Sequence, residues 1–228
     1  MKPYVICHMM SSIDGHALTD GWDRPFKKAA GDLYEKLAAT FEFDGWICGR
    51  TTMEEIAHGD DYPKGLAKKP IPRTPCFARR DAATYAIAID GHGKVAWKSN
   101  EALGSHVVAV LTEAVSDDYL AYLQSIDVSY FFGGKTEIDL AKVVQTLADE
   151  LGTRRLIVEG GPHVSGSFVN AGLVDEISVL ILPLIDGRGD HPASFEMTKE
   201  TWTQPSYLTL ASAEVQDGGG VWLRYKRP

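Results

Sequence analysis

The sequence predicts an α/β domain built on a mixed, mostly parallel sheet, and three observations carry that prediction. Short apolar runs alternate with stretches of helical periodicity over most of the 228 residues, the pattern of a parallel sheet covered by helices on both faces. The C-terminus breaks the alternation: "SYLTLASAEV", the turn "QDGGG" and "VWLRYK" read as an antiparallel hairpin, which makes the sheet mixed. No repeat, low-complexity tract or linker divides the chain, so residues 1–228 read as one domain.

Taken in order, "PYVICHMM" from Pro3 is an apolar run rich in strand formers, ended by the turn residues "SSIDG". "AAGDLYEKLAATF" from Ala29 places Leu33, Leu37, Ala38 and Phe41 at helical spacing. "DGWICGRTTMEEIA" reads as a turn, a short strand through Ile47 and Cys48, then Gly49 and a new helix. From His58 to Pro75 four prolines and several lysines predict a long loop. "YAIAID" and "HVVAVL" are strands, "SDDYLAYLQSI" a helix and "VSYFF" a strand. In "TEIDLAKVVQTLADELG", Thr136 and Asp139 give the spacing of a helix start, and Ile138, Val143, Leu147 and Leu151 mark one face. Gly152 is its stop. "RLIVEG" is a strand, Pro162 opens the helix "PHVSGSFVNAG", and "DEISVLILPLI" is a further strand.

The charge of −8 speaks against a nucleic-acid surface, which needs a basic field. No run approaches the roughly 20 apolar residues of a membrane span. Cys7, Cys48 and Cys76 are unclustered, so neither a zinc site nor a disulfide framework is expected. With "MKPYVICHMM" leading straight into a strand, the expectation is a cytoplasmic protein.

In an open α/β sheet, ligands sit at the carboxyl ends of strands, and three such loops stand out. Glu159-Gly160-Gly161 joins a strand to a helix; glycine lets a ligand approach bare backbone, and the helix start offers unpaired N–H groups. Gly49-Arg50-Thr51-Thr52 repeats that design with a cation suited to a phosphate. Two such turns make a dinucleotide ligand more plausible than either alone, although neither matches the Rossmann or P-loop fingerprint. Ser11-Ser12-Ile13-Asp14-Gly15 is the third loop, read either as an Asx turn or as a site border. His8 lies within the first strand, as a core residue or facing a ligand. Glu159 ends a buried strand, where a carboxyl must be hydrogen-bonded or have a raised pKa. No nucleophile elbow or zinc-protease motif occurs. These residue types favour cofactor chemistry, in which the protein supplies position and electrostatics.

"MSSIDG", "ICGRTTMEE", "AIAIDGHGKV" and "LIVEGGPHVSGSFVNAGLVDEISVLILPLIDG" occur in an order that resembles the RibD C-terminal domain family, the reductases of riboflavin biosynthesis. The resemblance is most specific from Leu156 to Gly187. It implies a dihydrofolate reductase-like fold, a three-layer α/β/α sandwich. It also implies NADPH as cofactor and a homodimer, to which "DEISVLILPLI" and the apolar hairpin would contribute. The implied reaction passes a hydride to the ribose carbon of 5-amino-6-(5-phosphoribosylamino)uracil. By motif, Gly160 and Gly161 are expected against the pyrophosphate, and Gly49, Arg50 and Thr52 at the adenosine-phosphate half. Asp90, before Gly91, is expected beside the nucleotide, Ser12 and Asp14 beside nicotinamide and substrate, and Glu159 near the reacting groups. The chain departs from the bacterial pattern twice. His8 stands where a lysine is common, and "IAHGDDYPKGLAKKPIPRTP" replaces an Asp-Pro-x-Leu-Thr-x-Arg loop that helps hold the ribose phosphate. His8 is therefore expected to line the pocket with Asp14 and Glu159 and to weaken substrate binding as pH rises past its pKa. A same-fold reductase of another small carbonyl, imine or pterin, and a nucleotide-binding protein without catalysis, are the alternative readings.

Overall fold

The computed structural model describes residues 2–59, 61–197 and 203–228. Along the chain come β1 (Tyr4–Ser11), α1 (Arg24–Ala38), β2 (Gly45–Gly49), α2 (Arg50–Ala57), β3 (Tyr85–Ile89), β4 (Glu101–Ala102) and β5 (Ser105–Thr112). Then follow α3 (Asp117–Ser125), β6 (Ser129–Gly134), α4 (Leu140–Leu151), β7 (Arg155–Gly160), α5 (Pro162–Asn170), β8 (Glu176–Ile181), β9 (Thr209–Val215) and β10 (Val221–Lys226). The fold is α/β with a mixed sheet, as the alternation and the terminal hairpin predict. The residues group into two compact units: Asp44–Leu156 with the extreme N-terminus, and Tyr4–Phe43 with Ile157–Pro228.

In the first unit β2, β3, β5 and β6 are parallel, with Gly49 opposite Ile89, Ile89 opposite Val110 and Val108 opposite Ser129. All eight residues of β5 are buried, which explains its unbroken apolar run. β4 is a two-residue strand that the sequence pattern misses. It pairs antiparallel with the start of β5 across a turn in which Leu103 and Gly104 both have positive φ.

α4 begins four residues later than Thr136. Its N-cap is Asp139, whose carboxylate accepts from the N–H groups of Ala141 at 2.9 Å and Lys142 at 3.1 Å. The delay has a packing cause. A Cβ on Gly134 would lie 2.0 Å from the Glu137 carbonyl oxygen, so the chain doubles back there before the helix can form. Ile138 turns inward, close to Gly133 and Gly91, as a loop residue rather than part of the helical face. Gly152 ends the helix at φ 67°, as expected.

In the second unit the strand order is β7-β1-β8-β10-β9. β1 and β8 are parallel, with Cys7 opposite Ile177, and the hairpin adds β10 antiparallel to β8, with Trp222 opposite Leu180. β8 ends at Ile181, short of the expected Ile185, because Pro183 has no N–H to continue a ladder. α1 starts five residues before Ala29. Asp23 caps it by accepting from Phe26 N–H at 3.2 Å, with Pro25 in the first turn. Phe41 lies beyond the helix in a 3-10 turn and is nevertheless buried.

Candidate functional site

In the first unit, Gly49 and Ile89 are register partners, so Arg50 and Asp90 follow from adjacent strand ends. α2 begins directly after β2 with Gly49 at its N-cap, no side-chain cap and no acidic residue in its first turn. α1, α3 and α4 are each capped, by Asp23, Ser116 and Asp139. The N–H groups of α2 therefore lack the side-chain acceptor that those three helices carry, the condition for anion binding. Thr52 lies half-buried in its first turn. Arg50 donates from Nη1 to both carboxylate oxygens of Glu54 at 2.8 Å.

Asp90 is 1% exposed. Its Oδ2 accepts from the N–H groups of Lys94 at 2.7 Å and Val95 at 2.9 Å and from the Tyr119 hydroxyl at 3.2 Å. Its Oδ1 is buried without a hydrogen-bond partner. Burial raises the pKa of this carboxyl against those three donors. One oxygen thus fixes the turn after β3, and the other is left without a hydrogen-bond partner.

In the second unit α5 repeats the uncapped design. Gly161 is the N-cap, Pro162 opens the first turn, and neither a side-chain cap nor an early acid is present. The carboxyl of Glu159, two residues earlier, has a buried Oε1 with no partner. Burial, then the nearby Glu35 charge, pushes its pKa up to about 8, so it holds a proton at neutral pH. Tyr34 on α1 donates to the carbonyl oxygens of His8 at 2.9 Å and Glu159 at 3.4 Å, setting β1 and β7 at one level.

The Ser12–Asp14 loop is held largely by its own polar groups. The Ser12 Oγ accepts from His16 N–H at 3.0 Å. Asp14 accepts from the N–H groups of Asp186 at 3.0 Å and Gly187 at 2.7 Å. The Ser12 hydroxyl, followed by those two N–H groups, draws the Asp14 pKa down to about 2. Asp14 is therefore a fixed charge that clamps the turn after β8.

His8 also requires correction. It is 0% exposed, stacked on Tyr34 at 4.2 Å between ring centroids and edge-on to Phe41. Its Nε2 lies 3.2 Å from the Tyr34 carbonyl oxygen, so that nitrogen carries the proton. Its Nδ1 lies 2.8 Å from Ser178 Oγ, which itself accepts from Trp222 Nε1 at 2.7 Å. The chain of bonds from Trp222 through Ser178 and His8 to Tyr34 is complete with a neutral imidazole. Burial lowers the His8 pKa to about 4. The expected loss of substrate affinity near neutral pH has no basis in this ring, which belongs to the core.

The sequence reading passed over Glu54, which lies four residues after Arg50, the helical spacing of an ion pair. It also passed over Glu35 and Tyr34 on α1, which no local pattern links to β7. A groove of about 480 Å³ borders α1, lined in part by Trp22, Phe26, Pro183, Ile185 and Arg188. Its polar groups satisfy one another: Asp186 accepts from Trp22 Nε1 at 3.3 Å and from Arg188 Nε and Nη2 at 2.7 Å each. Among the described residues no group of three or more metal-ligating side chains occurs, and no helix is long and apolar enough to cross a membrane.

Strand-end turns that start uncapped helices on glycine are the local geometry of an anion site. The chain belongs to the RibD C-terminal domain family, matched over residues 3–221. It is similar in structure to a pyrimidine reductase-like protein from Corynebacterium diphtheriae, with a TM-score of 0.72 and 17% identity over 98% of this chain and 91% of that one. Riboflavin biosynthesis reductase Rib7 from Saccharomyces cerevisiae gives a TM-score of 0.61 and 17% identity over 99% and 90% of the two chains. The third structure is a diaminohydroxyphosphoribosylaminopyrimidine deaminase/5-amino-6-(5-phosphoribosylamino)uracil reductase from Thermotoga maritima. It gives a TM-score of 0.61 and 14% identity over all of this chain, which spans 57% of that one. These likenesses agree with the dihydrofolate reductase-like fold implied by the sequence motifs.

Proposed function

We propose that the chain is an NADPH-dependent reductase, a single reductase domain over residues 1–228, acting on 5-amino-6-(5-phosphoribosylamino)uracil in riboflavin biosynthesis. Membership of the RibD C-terminal domain family supports this, as do the described activities of the Thermotoga and Saccharomyces proteins. The observation that carries it is the contrast among helix starts. Three helices are capped by their own side chains, whereas α2 and α5 start on glycine and leave their N–H groups for an anion.

A nicotinamide cofactor supplies a hydride when bound. The chain's part is to hold it and to provide a proton. Gly160 and Gly161 meet the pyrophosphate through backbone N–H groups, while Gly49, Arg50 and Thr52 hold the adenosine-phosphate half. Asp90, at the end of β3, borders the nucleotide. Ser12 and Asp14 shape the loop beside the nicotinamide. Glu159, protonated at neutral pH, holds a proton at its carboxyl for the reduced substrate.

A second reading, a same-fold reductase of another small carbonyl, imine or pterin, is favoured by two features. The cation expected from β1 is a buried neutral histidine, and the family's ribose-phosphate loop is replaced. NADPH oxidation measured with the phosphoribosylamino-uracil beside dihydrofolate separates the readings. Turnover of the uracil alone supports the first, and turnover of dihydrofolate alone supports the second. Stoichiometric NADPH binding with no oxidation of either overturns both in favour of a non-catalytic nucleotide-binding protein.

The protein works as a cytoplasmic homodimer in this proposal. β9 is an edge strand with Leu210 54% and Val215 83% exposed, and Tyr207 just before it is 79% exposed. An apolar edge of this kind calls for a partner, and a second copy with closed two-fold symmetry is the simplest one. Light scattering at micromolar protein is expected to return twice the 25.0 kDa chain mass. A monomer mass removes the proposal.

A further inference from the structure

The adjacent ends of β2 and β3 carry three features that point to one ligand. α2 has no side-chain cap and no acid in its first turn. Asp90 is 1% exposed, and its Oδ1 has no partner; a buried carboxylate oxygen left this way is costly unless a ligand donates to it. Arg50 is the cation at the helix start, but Glu54 one turn later holds its Nη1 with both carboxylate oxygens at 2.8 Å. The charges of Arg50 and Glu54 cancel.

An adenosine with a free 2′-hydroxyl and one with a 2′-phosphate meet this arrangement differently. The hydroxyl needs no added positive charge and can donate to a carboxylate oxygen. The phosphate brings up to two negative charges and must draw the guanidinium away from Glu54. The Arg50 and Glu54 side chains are 47% and 38% exposed, so their ion pair is weak and can be opened. A phosphate offers arginine a stronger, bidentate partner. Glu54 therefore reduces a preference that Arg50 creates.

We propose that Glu54 is a specificity-determining residue: by competing for Arg50, it sets how strongly the protein prefers a 2′-phosphorylated nicotinamide dinucleotide to its unphosphorylated counterpart. This deepens the cofactor assignment above and rests on it.

The test is equilibrium titration of NADPH and NADH, by calorimetry or cofactor fluorescence, into the wild type and Glu54→Gln. In the variant, NADPH is expected to bind about three- to tenfold tighter while NADH stays within about twofold. Raising the salt is expected to shrink the gain. Placing Glu54→Gln in an Arg50→Ala background is expected to remove it. The inference is overturned if both cofactors change equally, if neither changes, or if the gain survives without Arg50. Failure of the cofactor reading looks different: the wild type then binds neither dinucleotide, and the inference falls with it. Glu54 is on the surface of α2, so an unchanged thermal melt confirms that the variant is folded.

Discussion

Gly161→Val is expected to abolish NADPH binding and leave a folded protein. Gly161 is the N-cap of α5, and the helix closes onto it through Ser165 N–H to its carbonyl oxygen at 3.1 Å. A valine there keeps that backbone acceptor. Residues preceding proline favour the extended ψ, here 163°, but the φ of −13° lies outside the range of a β-branched residue, so the valine must relax that φ within the turn. What changes is access to the backbone. The branched side chain stands where the pyrophosphate must approach the uncapped N–H groups. Losing two or three charge-assisted bonds is worth about 3 kcal/mol or more, a loss of roughly 100-fold or more in affinity. Calorimetric titration measures the loss, and circular dichroism with a thermal melt checks the fold. Gly161→Ala, with a smaller side chain, is expected to retain part of the binding. A folded valine variant with wild-type affinity would reduce this glycine to a turn former.

What the sequence makes legible follows from the range of the interaction involved. The Glu-Gly-Gly turn, the glycine before Arg50 and the Gly152 stop are local features, and each is found where local chemistry puts it. The terminal hairpin is equally local and reads correctly. α1 starts before its predicted residue because Arg24 to Ala29 is solvated apart from the half-buried Phe26 and so has little apolar period. Its beginning is written only in the Asp23-Arg24-Pro25 cap. α4 starts after its predicted residue because a close backbone approach at Gly134 overrides the capping pattern at Thr136.

The candidate site is less legible, because its chemistry depends on residues far apart in sequence. Asp14 is a fixed charge through the neighbouring Ser12 hydroxyl and through two N–H groups more than 170 positions later that point at it. The neutrality of His8 is set by Ser178, Trp222 and the Tyr34 carbonyl. No local pattern around "ICHMM" distinguishes that outcome from a histidine facing a ligand. The Arg50–Glu54 pair is the exception, since its four-residue spacing is visible in "RTTME".

Glu159→Gln is expected to remove turnover while preserving cofactor binding. Glutamine matches the shape of the carboxyl and carries no acidic proton. Loss of a general acid typically costs about 100- to 10,000-fold in kcat. In the wild type, kcat is expected to be highest below the Glu159 pKa of about 8 and to fall as pH rises through it, because the protonated form does the work. The same group leaves a signature that needs no substrate. Its pKa is raised from 4.5 to about 8 by burial and by the Glu35 charge, so the folded state binds the proton more tightly than the unfolded chain. The stability associated with that proton is fully present below about pH 4.5 and is lost as pH rises through about 8. Glutamine removes the dependence. Melts of wild type and variant should therefore run together in acid and diverge above neutrality, with the variant the more stable at pH 9. Parallel melts across the whole range would show that Glu159 titrates as an ordinary carboxylate. Full turnover by the variant would move the proton donor to another residue even if the melts diverge. A variant with divergent melts, intact NADPH binding and no turnover would fix Glu159 as the acid of the site.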